Sequence, residues 1–551
     1  MNKVINFIKY HWLIISVSFV SCLSVAIAVP LALNSNKSPS YAEDGVIEIW
    51  TNWSPIDGSY NMFKETFVDE FNKEYQSENI RVELVTVSSE DETLAQTVSK
   101  KLSAGAKSPN IVLGNPSDSI MFIDKSNDAS IYSLEEILVS SEYDYIKDSI
   151  QKIYSSNQDE YIIPYAPFLN SGEVLYINSQ IMYEFLSDVI NKKSTYHIEP
   201  GFMDSLLKSN GVAINIDNYD FKAVTNIDGN LQNIDLDGNN EITKEEMFGS
   251  YKNIFELGKI FLESYNGPNG KKDTSSIEIN DQSSNLSFFD IDNPTNTTMY
   301  SIFSLVDDSW NDWLSSETNE LNMLTDEKTK NAINEFYLNI SNNADLLIAD
   351  PVNPPTVPFV NNDLLMFVGA NFNSKYLSDN TKENVQYDEF IMIPAPTKFG
   401  NTNGKYTFTY SKSLVPFKFN YDNASKENEY TAKFIKYVFD NIDYEYYSNT
   451  GYLPNLNSEI SDEYIKYLEN ISSDSSIQTS KAESLANSLL ITTTSIREVL
   501  ASSDGSMFVE PVNKSIPYIE QVINNMYYEV VGKKINTNFY DEFVSKLEVL
   551  I

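Results

Sequence analysis

The chain has 551 residues and a formal net charge of −39 at pH 7, from 39 basic and 78 acidic side chains. Nucleic-acid binding requires clustered Lys and Arg against phosphate, so this charge excludes DNA and RNA as partners. One cysteine and two histidines exclude an intrachain disulfide framework and a structural zinc site of the Cys/His type.

The first predicted element is an apolar segment at 13–33, which has no charged residue on either side until Lys9 and Lys37. About 20 apolar residues are the length that a helix needs to cross a bilayer. Basic residues before the segment, Lys3 and Lys9, place the N-terminus in the cytoplasm and the rest of the chain outside. We therefore predict a signal or anchor at 1–36.

Three fates of this segment stay open: a retained membrane helix, a signal peptide cut near Ala28 or Ala42, or lipidation at Cys22. The run Phe-Val-Ser-Cys at 19–22 is similar to a lipoprotein signal. All three fates export the body, so we expect it at the extracellular face of the cell membrane, anchored at the N-terminus. Residues 37–45 are predicted to be a flexible linker.

The body begins with alternating strand and helix patterns. Ser59 is the expected N-cap of the first helix, and Gly105 the expected stop of the second. Strand–helix alternation at this spacing predicts a parallel sheet with helices on both faces, whose ligands bind beyond the carboxyl ends of the strands. Trp50, Trp53 and Asn115 lie at such ends. The predicted elements are a strand at 46–50, a helix at 60–75, a strand at 80–87, a helix at 94–102 and a strand at 110–114.

Several segments, in order along the chain, together resemble one protein family. They are WTNWSPIDGSYNMFKETFVDEFNKEYQSENIRVELVTV (50–87), YIIPYAPFLNSGEVLYIN (161–178), MFVGANFNSKYL (366–377), FIMIPAPTKFGNTNGKYTFTYSKSLVPF (390–417), TAKFIKYVFDN (431–441) and NTGYLPN (449–455). The set is similar to the extracellular solute-binding proteins of ABC importers, family 1, the family of the maltose-binding protein.

The resemblance implies an α/β fold of the two-lobed, type II periplasmic-binding-protein kind, each lobe a sheet flanked by helices. It places 46–168 and 408–452 in lobe 1, and 169–407 and 453–551 in lobe 2. The stretch around 190–350 is longer than the family usually carries and is interpreted as an insertion.

The same resemblance implies a function. The chain would be a monomeric binding component, not an enzyme, that closes on a small carbohydrate or related polyol. It would deliver this ligand to an ABC permease and its ATPase.

Candidate ligand contacts come from aromatic and polar residues, because sugars offer apolar faces to aromatic rings and hydroxyl groups to polar side chains. Two tryptophan pairs, one expected in each lobe, would stack the ligand, with an acid beside the second pair and polar residues at the crossings between lobes. The predicted set is Trp50, Trp53, Asn115, Tyr165, Asn170, Asp308, Trp310, Trp313, Asn371 and Tyr452.

A calcium loop is predicted at 235–246. Its oxygen-bearing residues follow the order of an EF-hand loop: Asp235, Asp237, Asn239, the Glu241 carbonyl, Thr243 through water, and Glu246. Asn240 stands where glycine is standard, and asparagine tolerates the left-handed conformation needed there. A helix is expected after the loop and none before it, which indicates a static structural calcium site.

Two other functions stay open. A surface glycosidase would use two carboxylates facing each other across a cleft, about 5–10 Å apart. A surface adhesin would keep the fold without transport.

Overall fold

The structure of the chain is a computed structural model. It describes residues 45–550 except 56–57, 88–92, 123–125, 127, 141–142, 145–149, 151, 156–158, 209–220, 222, 266–285, 307–325, 349, 351–352, 375–376, 378–389, 401–403, 422–423, 456–457, 474–479, 504 and 510–514.

The first sheet, in the described part of the chain, consists of β1 (Val46–Thr51), β2 (Arg81–Thr86), β3 (Ile111–Gly114), β4 (Ala129–Ile131), β7 (Ala166–Ser171), β14 (Lys405–Phe419) and β15 (Gly505–Val509). The predicted parallel start is confirmed, since β1 pairs in parallel with both β2 and β3. Strand β14 runs antiparallel to β3 and β7. The carboxyl ends of β1, β2, β3 and β7 therefore point the same way.

The second sheet has the order β11-β12-β8-β13, formed by β8 (Glu173–Asn178), β11 (Ser287–Ile291), β12 (Leu364–Ala370) and β13 (Phe390–Pro394). Strand β8 runs antiparallel to β12 and β13, while β11 is parallel to β12. Glu173 opposes Ala370 in this register. The start of β8 and the ends of the other three strands therefore share one edge. Only Gly172 separates this edge from the end of β7 in the first sheet.

Two helices of the first region fit their predicted positions. A continuous helical segment runs through Gly58–Phe63, a π-helical turn at Lys64–Asp69, and Glu70–Glu74. Ser59 lies inside this helix, which already includes Gly58, so its predicted role as N-cap is wrong. Thr93 caps Leu94–Ser103 through a capping box with Gln96.

The remaining described elements are short strands and further helices. The strands form two pairs: β5 (Ile153–Ser155) with β6 (Glu160–Ile162), and β9 (His197–Ile198) with β10 (Glu241–Ile242). The α-helices are Asp118–Phe122, Leu134–Ile137, Ser179–Phe185, Pro200–Lys208, Ile227–Leu231, Lys244–Phe248, Tyr251–Ser264, Pro294–Val306, Glu327–Asn342, Thr356–Val360, Ser425–Asn441, Tyr444–Thr450, Ser458–Ser473, Ser480–Ala501, Ile516–Val531 and Phe539–Leu550. A π-helical turn at Leu186–Asn191 and 3-10 turns at Gln76–Glu78, Ala344–Leu346 and Asn371–Asn373 complete the set.

Each sheet has its own hydrophobic core. The first core packs around β1–β3, and the second packs around β8, β11 and β12. Helices Ser458–Ser473 and Ser480–Ala501 contribute Tyr464, Leu468 and Leu489 to the first core, although the predicted division assigns them to lobe 2. Helix Ser480–Ala501 also contacts β8 and β13 of the second sheet. The predicted division of the chain between the lobes stays a prediction.

Candidate functional site

The carboxyl edge of the first sheet carries a small polar cluster. Lys412 donates from Nζ to Oδ1 of Asn115 at 3.0 Å, and the backbone N–H of Asn115 donates to Oδ2 of Asp118 at 2.9 Å. Burial raises the pKa of Asp118 to about 6, while the Asn115 hydrogen bond and the charge of Lys412 lower it. Asn115 and Lys412 are only half-buried, so this edge offers an amide and an ammonium group to a ligand.

The edge of the second sheet that follows Gly172 carries two half-buried acids, Glu173 and Asp292. The Tyr300 hydroxyl donates to Oε2 of Glu173 at 3.0 Å, and Tyr251 and Tyr300 are hydrogen-bonded through their hydroxyls. Asn373 donates to Oδ2 of Asp292 at 2.6 Å. Each acid is therefore hydrogen-bonded by a neighbouring side chain, and neither is fully buried.

The electrostatics of this second edge are unfavourable for added negative charge. Burial raises the pKa of Glu173 to about 8; the Tyr300 hydrogen bond lowers it, and the nearby Asp292 raises it. Burial also raises the pKa of Asp292, against hydrogen bonds from Asn373 and the backbone at Ala370. A neutral ligand with hydroxyl groups suits these acceptors better than an anion does.

A cavity of about 250 Å³ opens beside Asp292. Carboxylates of Asp290 and Asp350, the Asn353 amide and the Tyr528 ring also line it. Burial, followed by the negative charges of the three aspartates, raises the pKa of Tyr528 to about 12. The cavity thus extends the acidic character of the second edge.

Two predicted ligand residues, Asn170 and Asn371, lie close to Gly172, where the chain crosses between the sheets. Asn170 is 7% exposed, and its side-chain amide donates to Pro454 O at 3.3 Å and to Asn455 Oδ1 at 2.7 Å. Asn371 is fully buried and hydrogen-bonded to the backbone of Gly172 and Gly451. These amides are used within the protein, and their contact with a ligand stays a prediction.

The predicted aromatic contacts Tyr165 and Tyr452 are also buried, at 4% and 6% exposure, and both belong to the first core. The Tyr452 ring packs against Phe372 with a centroid distance of 5.4 Å. The Tyr452 ring therefore packs the stretch after helix Tyr444–Thr450 against the stretch after β12.

The first tryptophan pair also lies in the first core, with Trp50 9% and Trp53 7% exposed. Lys101 lies over the Trp50 ring, and Trp53 makes an edge contact with Phe63. Little of either indole is therefore accessible in this structure, and the contact of either one with a ligand stays a prediction. Asp308, Trp310 and Trp313 lie outside the described residues.

Comparison of the sequence with models of known families and with curated proteins gives no match. Comparison with solved structures does give matches. The cyclic α-maltosyl-1,6-maltose binding protein of Arthrobacter globiformis aligns over 92% of this chain and 97% of its own, with a TM-score of 0.54 at 10% identity. The GacH receptor of Streptomyces glaucescens, solved unliganded and with acarbose, covers 92% and 97% with a TM-score of 0.53 at 9% identity.

The maltose/maltodextrin-binding domain of Bdellovibrio bacteriovorus, solved with maltotriose, covers 92% and 99% with a TM-score of 0.52 at 13% identity. The chain has the fold of the maltose-binding-protein-like solute-binding proteins. The resemblance found in the sequence is confirmed in its fold, including the type II two-lobed α/β class.

The predicted calcium loop of this solute-binding fold lies within the described residues. Asn240 has a φ of +62°, as predicted for the position where glycine is standard. Carboxylate oxygens of Asp235, Asp237 and Glu246 lie within 4.8 Å of one another. Since calcium–oxygen distances are about 2.3–2.6 Å, ligands on opposite sides of one ion are about 5 Å apart. The three acids therefore fit a single ion.

The other predicted ligands fill supporting positions in the loop. The Asn239 amide donates to Oδ2 of Asp237 at 2.8 Å, and Thr243 forms a capping box with Glu246. Glu241 pairs with His197 in β9, and its side chain is exposed. A calcium contact through its backbone carbonyl stays a prediction. Calcium binding itself stays a prediction.

The helices around the loop differ in part from expectation. A short helix, Ile227–Leu231, precedes the loop, so the prediction of none is wrong. Ile227 and Leu231 pack into the second core, and this burial offsets the turn-like composition of the segment. After the loop, the predicted helix is split at Gly249, and Ser250 caps its second part, Tyr251–Ser264.

Sequence reasoning missed Glu173, Asp292 and Lys412. Two of them lie inside segments that carry the family resemblance, Glu173 in 161–178 and Lys412 in 390–417. Asp292 directly follows the apolar strand β11. A polar residue at the end of an apolar run in the sequence could have indicated a ligand contact, because ligands bind beyond the strand ends of such sheets.

In the part of the chain that the structure describes, no helix has both the length and the apolar character needed to cross a bilayer. The predicted segment at 13–33 and Cys22 lie outside that part.

Proposed function

We propose that this chain captures a carbohydrate or related polyol outside the cell, between the facing edges of its two sheets. The observation that carries the proposal is the pair of half-buried acids, Glu173 and Asp292, on the edge of the second sheet that follows Gly172. The end of the first sheet that precedes Gly172 carries Asn115 and Lys412. With a pKa of about 8, Glu173 is mostly a neutral carboxylic acid at pH 7, which can both donate a hydrogen bond to a sugar hydroxyl and accept one. An ionised Asp292 would accept hydrogen bonds from sugar hydroxyls, and hydrogen bonds to a charged acceptor are stronger than those to a neutral one. The similar structures named above were solved as sugar-binding proteins, which supports this ligand class.

We further propose delivery to an ABC permease and its ATPase by a monomer that is anchored at the N-terminus and has no enzymatic activity. A ligand that contacts both edges would favour the closed state of the two lobes. The permease would then recognise this closed, ligand-bound state.

The test is a thermal-shift screen with maltose, maltotriose, cellobiose and xylobiose. We expect at least one sugar to raise the melting temperature of the full chain, with no product detected by chromatography after overnight incubation. Saturation at 100 times Kd stabilises by about 2.7 kcal/mol, which is readily measured. The proposed ligand class is wrong if no neutral oligosaccharide shifts the melting temperature.

Glycosidase activity is the second candidate, and one observation favours it. A carboxyl group with a pKa near 8, as in Glu173, beside a second acid is what a general acid requires. Sugar hydrolysis in the same incubations, abolished by Glu173→Gln, would replace the binding proposal with this one.

We also propose that Asp235, Asp237 and Glu246 hold a structural calcium ion. The ion would bind the three carboxylates and so stabilise the conformation of the loop. Ile242 and Met247 of the same segment pack in the second core. Millimolar CaCl₂ should raise the melting temperature of the EDTA-treated protein, and MgCl₂ should do so less because Mg²⁺ requires shorter, octahedral bonds.

Glu246→Gln should abolish this rise. Glu245→Gln is the matched control, because the neighbouring Glu245 is exposed and outside the loop's ligand set. An equal calcium response in both variants would contradict the assignment.

A further inference from the structure

Asn371 directly follows β12 of the second sheet and contacts two other stretches of chain. One is the crossing between the sheets at Gly172, and the other is the end of helix Tyr444–Thr450, which packs on the first core. The side-chain oxygen of Asn371 accepts a hydrogen bond from the N–H of Gly172 at 3.0 Å, and its own backbone N–H donates to Gly172 O at 2.9 Å. Its side-chain nitrogen donates to Gly451 O at 2.7 Å. One fully buried amide thus joins the stretches at 172, 371 and 451.

An amide meets both demands of this position. The side chain must accept from one backbone N–H and donate to one backbone carbonyl, which neither a carboxylate nor an aliphatic group does. The stretches are also very close, because a Cβ added at Gly451 would lie 2.8 Å from Cβ of Phe372. Gly451 has a φ of +78°, at the end of helix Tyr444–Thr450. At this buried position, a hydrogen-bond donor or acceptor that loses its partner lowers the free energy of unfolding more than it would at an exposed position.

The position of Asn371 connects it to the ligand edge. Gly172, which it holds at both N–H and C=O, directly precedes Glu173. The Tyr176 hydroxyl lies 2.9 Å from the backbone oxygen of Ala370 and 3.2 Å from that of Asn371, so it holds the other end of the same short stretch. Movement at Asn371 would therefore change both the path between the sheets and the orientation of Glu173.

We propose that Asn371 is a positioning residue that sets the relative orientation of the two lobes and, through Gly172, the orientation of Glu173. It acts on ligand affinity without touching the ligand. Its effect on affinity rests on the proposed carbohydrate-binding function, whereas its effect on lobe orientation does not.

The test measures the distance between the lobes without any ligand. Spin labels are attached to cysteines in the full chain carrying Cys22→Ser, one at the exposed Lys73 (Lys73→Cys) and one at the 48% exposed Leu338 (Leu338→Cys). Asn371→Asp keeps the acceptor for Gly172 but places a carboxylate oxygen against the Gly451 carbonyl. We expect the interlabel distance distribution from pulsed EPR to widen or shift by several ångströms.

The matched control is Asn441→Asp. The Asn441 amide also donates to a backbone carbonyl, that of Tyr437, but on an exposed helix end away from the crossings. Its distance distribution should equal that of the unsubstituted protein. An unchanged distribution in Asn371→Asp would overturn the proposal.

Asn371→Ser, which can still accept from Gly172 but is too short to reach Gly451, is the second variant and should change the distribution in the same direction. If neither variant folds, amide hydrogen exchange in the unsubstituted protein tests the proposal instead. The Gly172 N–H must then exchange as slowly as the strand amides of β8, and exchange at the rate of a loop overturns the proposal.

A ligand from the thermal-shift screen adds a second readout. Loss of the hydrogen bond from Asn371 to Gly451 should lower the fraction of molecules in the closed state. Kd for the sugar should therefore rise at least about tenfold in Asn371→Asp and stay unchanged in Asn441→Asp. A changed distance distribution without any sugar binding would support the positioning role while contradicting the proposed function.

Discussion

The crossing region and the ligand edges use similar residues in opposite ways. At the crossings, Asn170 and Asn371 are buried, and their amides are hydrogen-bonded to the protein on both the oxygen and the nitrogen. At the edge, Glu173 and Asp292 are held by one side chain each and remain half exposed. Polar residues near strand ends thus divide into those that hold the fold and those available to a ligand.

Among the substitutions that test this contrast, Asn170→Ala is expected to have the largest effect on stability. The substitution removes hydrogen bonds to Ser411, Pro454 and Asn455 from a buried position. We expect the free energy of unfolding to fall by about 2–4 kcal/mol, measured by urea denaturation. Asn115→Ala, at the half-exposed edge, should cost less than about 1 kcal/mol. Equal costs would remove the distinction between the two regions.

The next effect concerns pH. Because the folded protein raises the pKa of Glu173 from 4.5 to about 8, the folded state binds its proton more tightly than the unfolded state does. The resulting stabilisation is complete below pH 4.5 and is lost as pH rises through about 8. Glu173→Gln carries no proton to lose, so at pH 9 it should be more stable than the unsubstituted protein by about 1–3 kcal/mol.

Urea denaturation of both proteins at pH 5 and pH 9 checks this expectation. The difference between them should be small at pH 5. A difference independent of pH would show that Glu173 is already ionised in the folded state at low pH.

The smallest effect concerns the first edge. Lys412 lowers the pKa of Asp118, against the larger effect of burial. Lys412→Met should therefore raise the pKa of Asp118 above its value of about 6, which an NMR titration of the carboxyl carbon detects. An unchanged titration would mean that solvent screens the two groups from each other.

The sequence predicted the fold well because the fold follows from local patterns. Alternating apolar residues gave β1–β3, and helical spacing of Phe63, Phe67 and Phe71 gave the first helix. The resemblance supplied the type II class, which periodicity alone does not determine.

The site was less predictable, because burial depends on tertiary packing. Trp50 follows a strand pattern and Asn371 lies at a strand end, yet the first packs into a core and the second bonds to two distant backbone segments. The sequence contained no signal that distinguished these residues from Glu173 and Asp292. Only the pairing of β8 with β12 brings the two carboxylates to one edge.

The central claim is that the two sheet edges hold a neutral sugar. Titration calorimetry of the sugar that gives the largest thermal shift tests it most directly, with the unsubstituted protein and with a variant carrying Glu173→Ala and Asp292→Ala. Losing one neutral and one charged hydrogen-bonding group should weaken binding by about 30-fold or more, since such hydrogen bonds contribute about 0.5–1.5 and about 1.5–3 kcal/mol respectively. Full affinity in the double variant would place the ligand elsewhere and contradict the account.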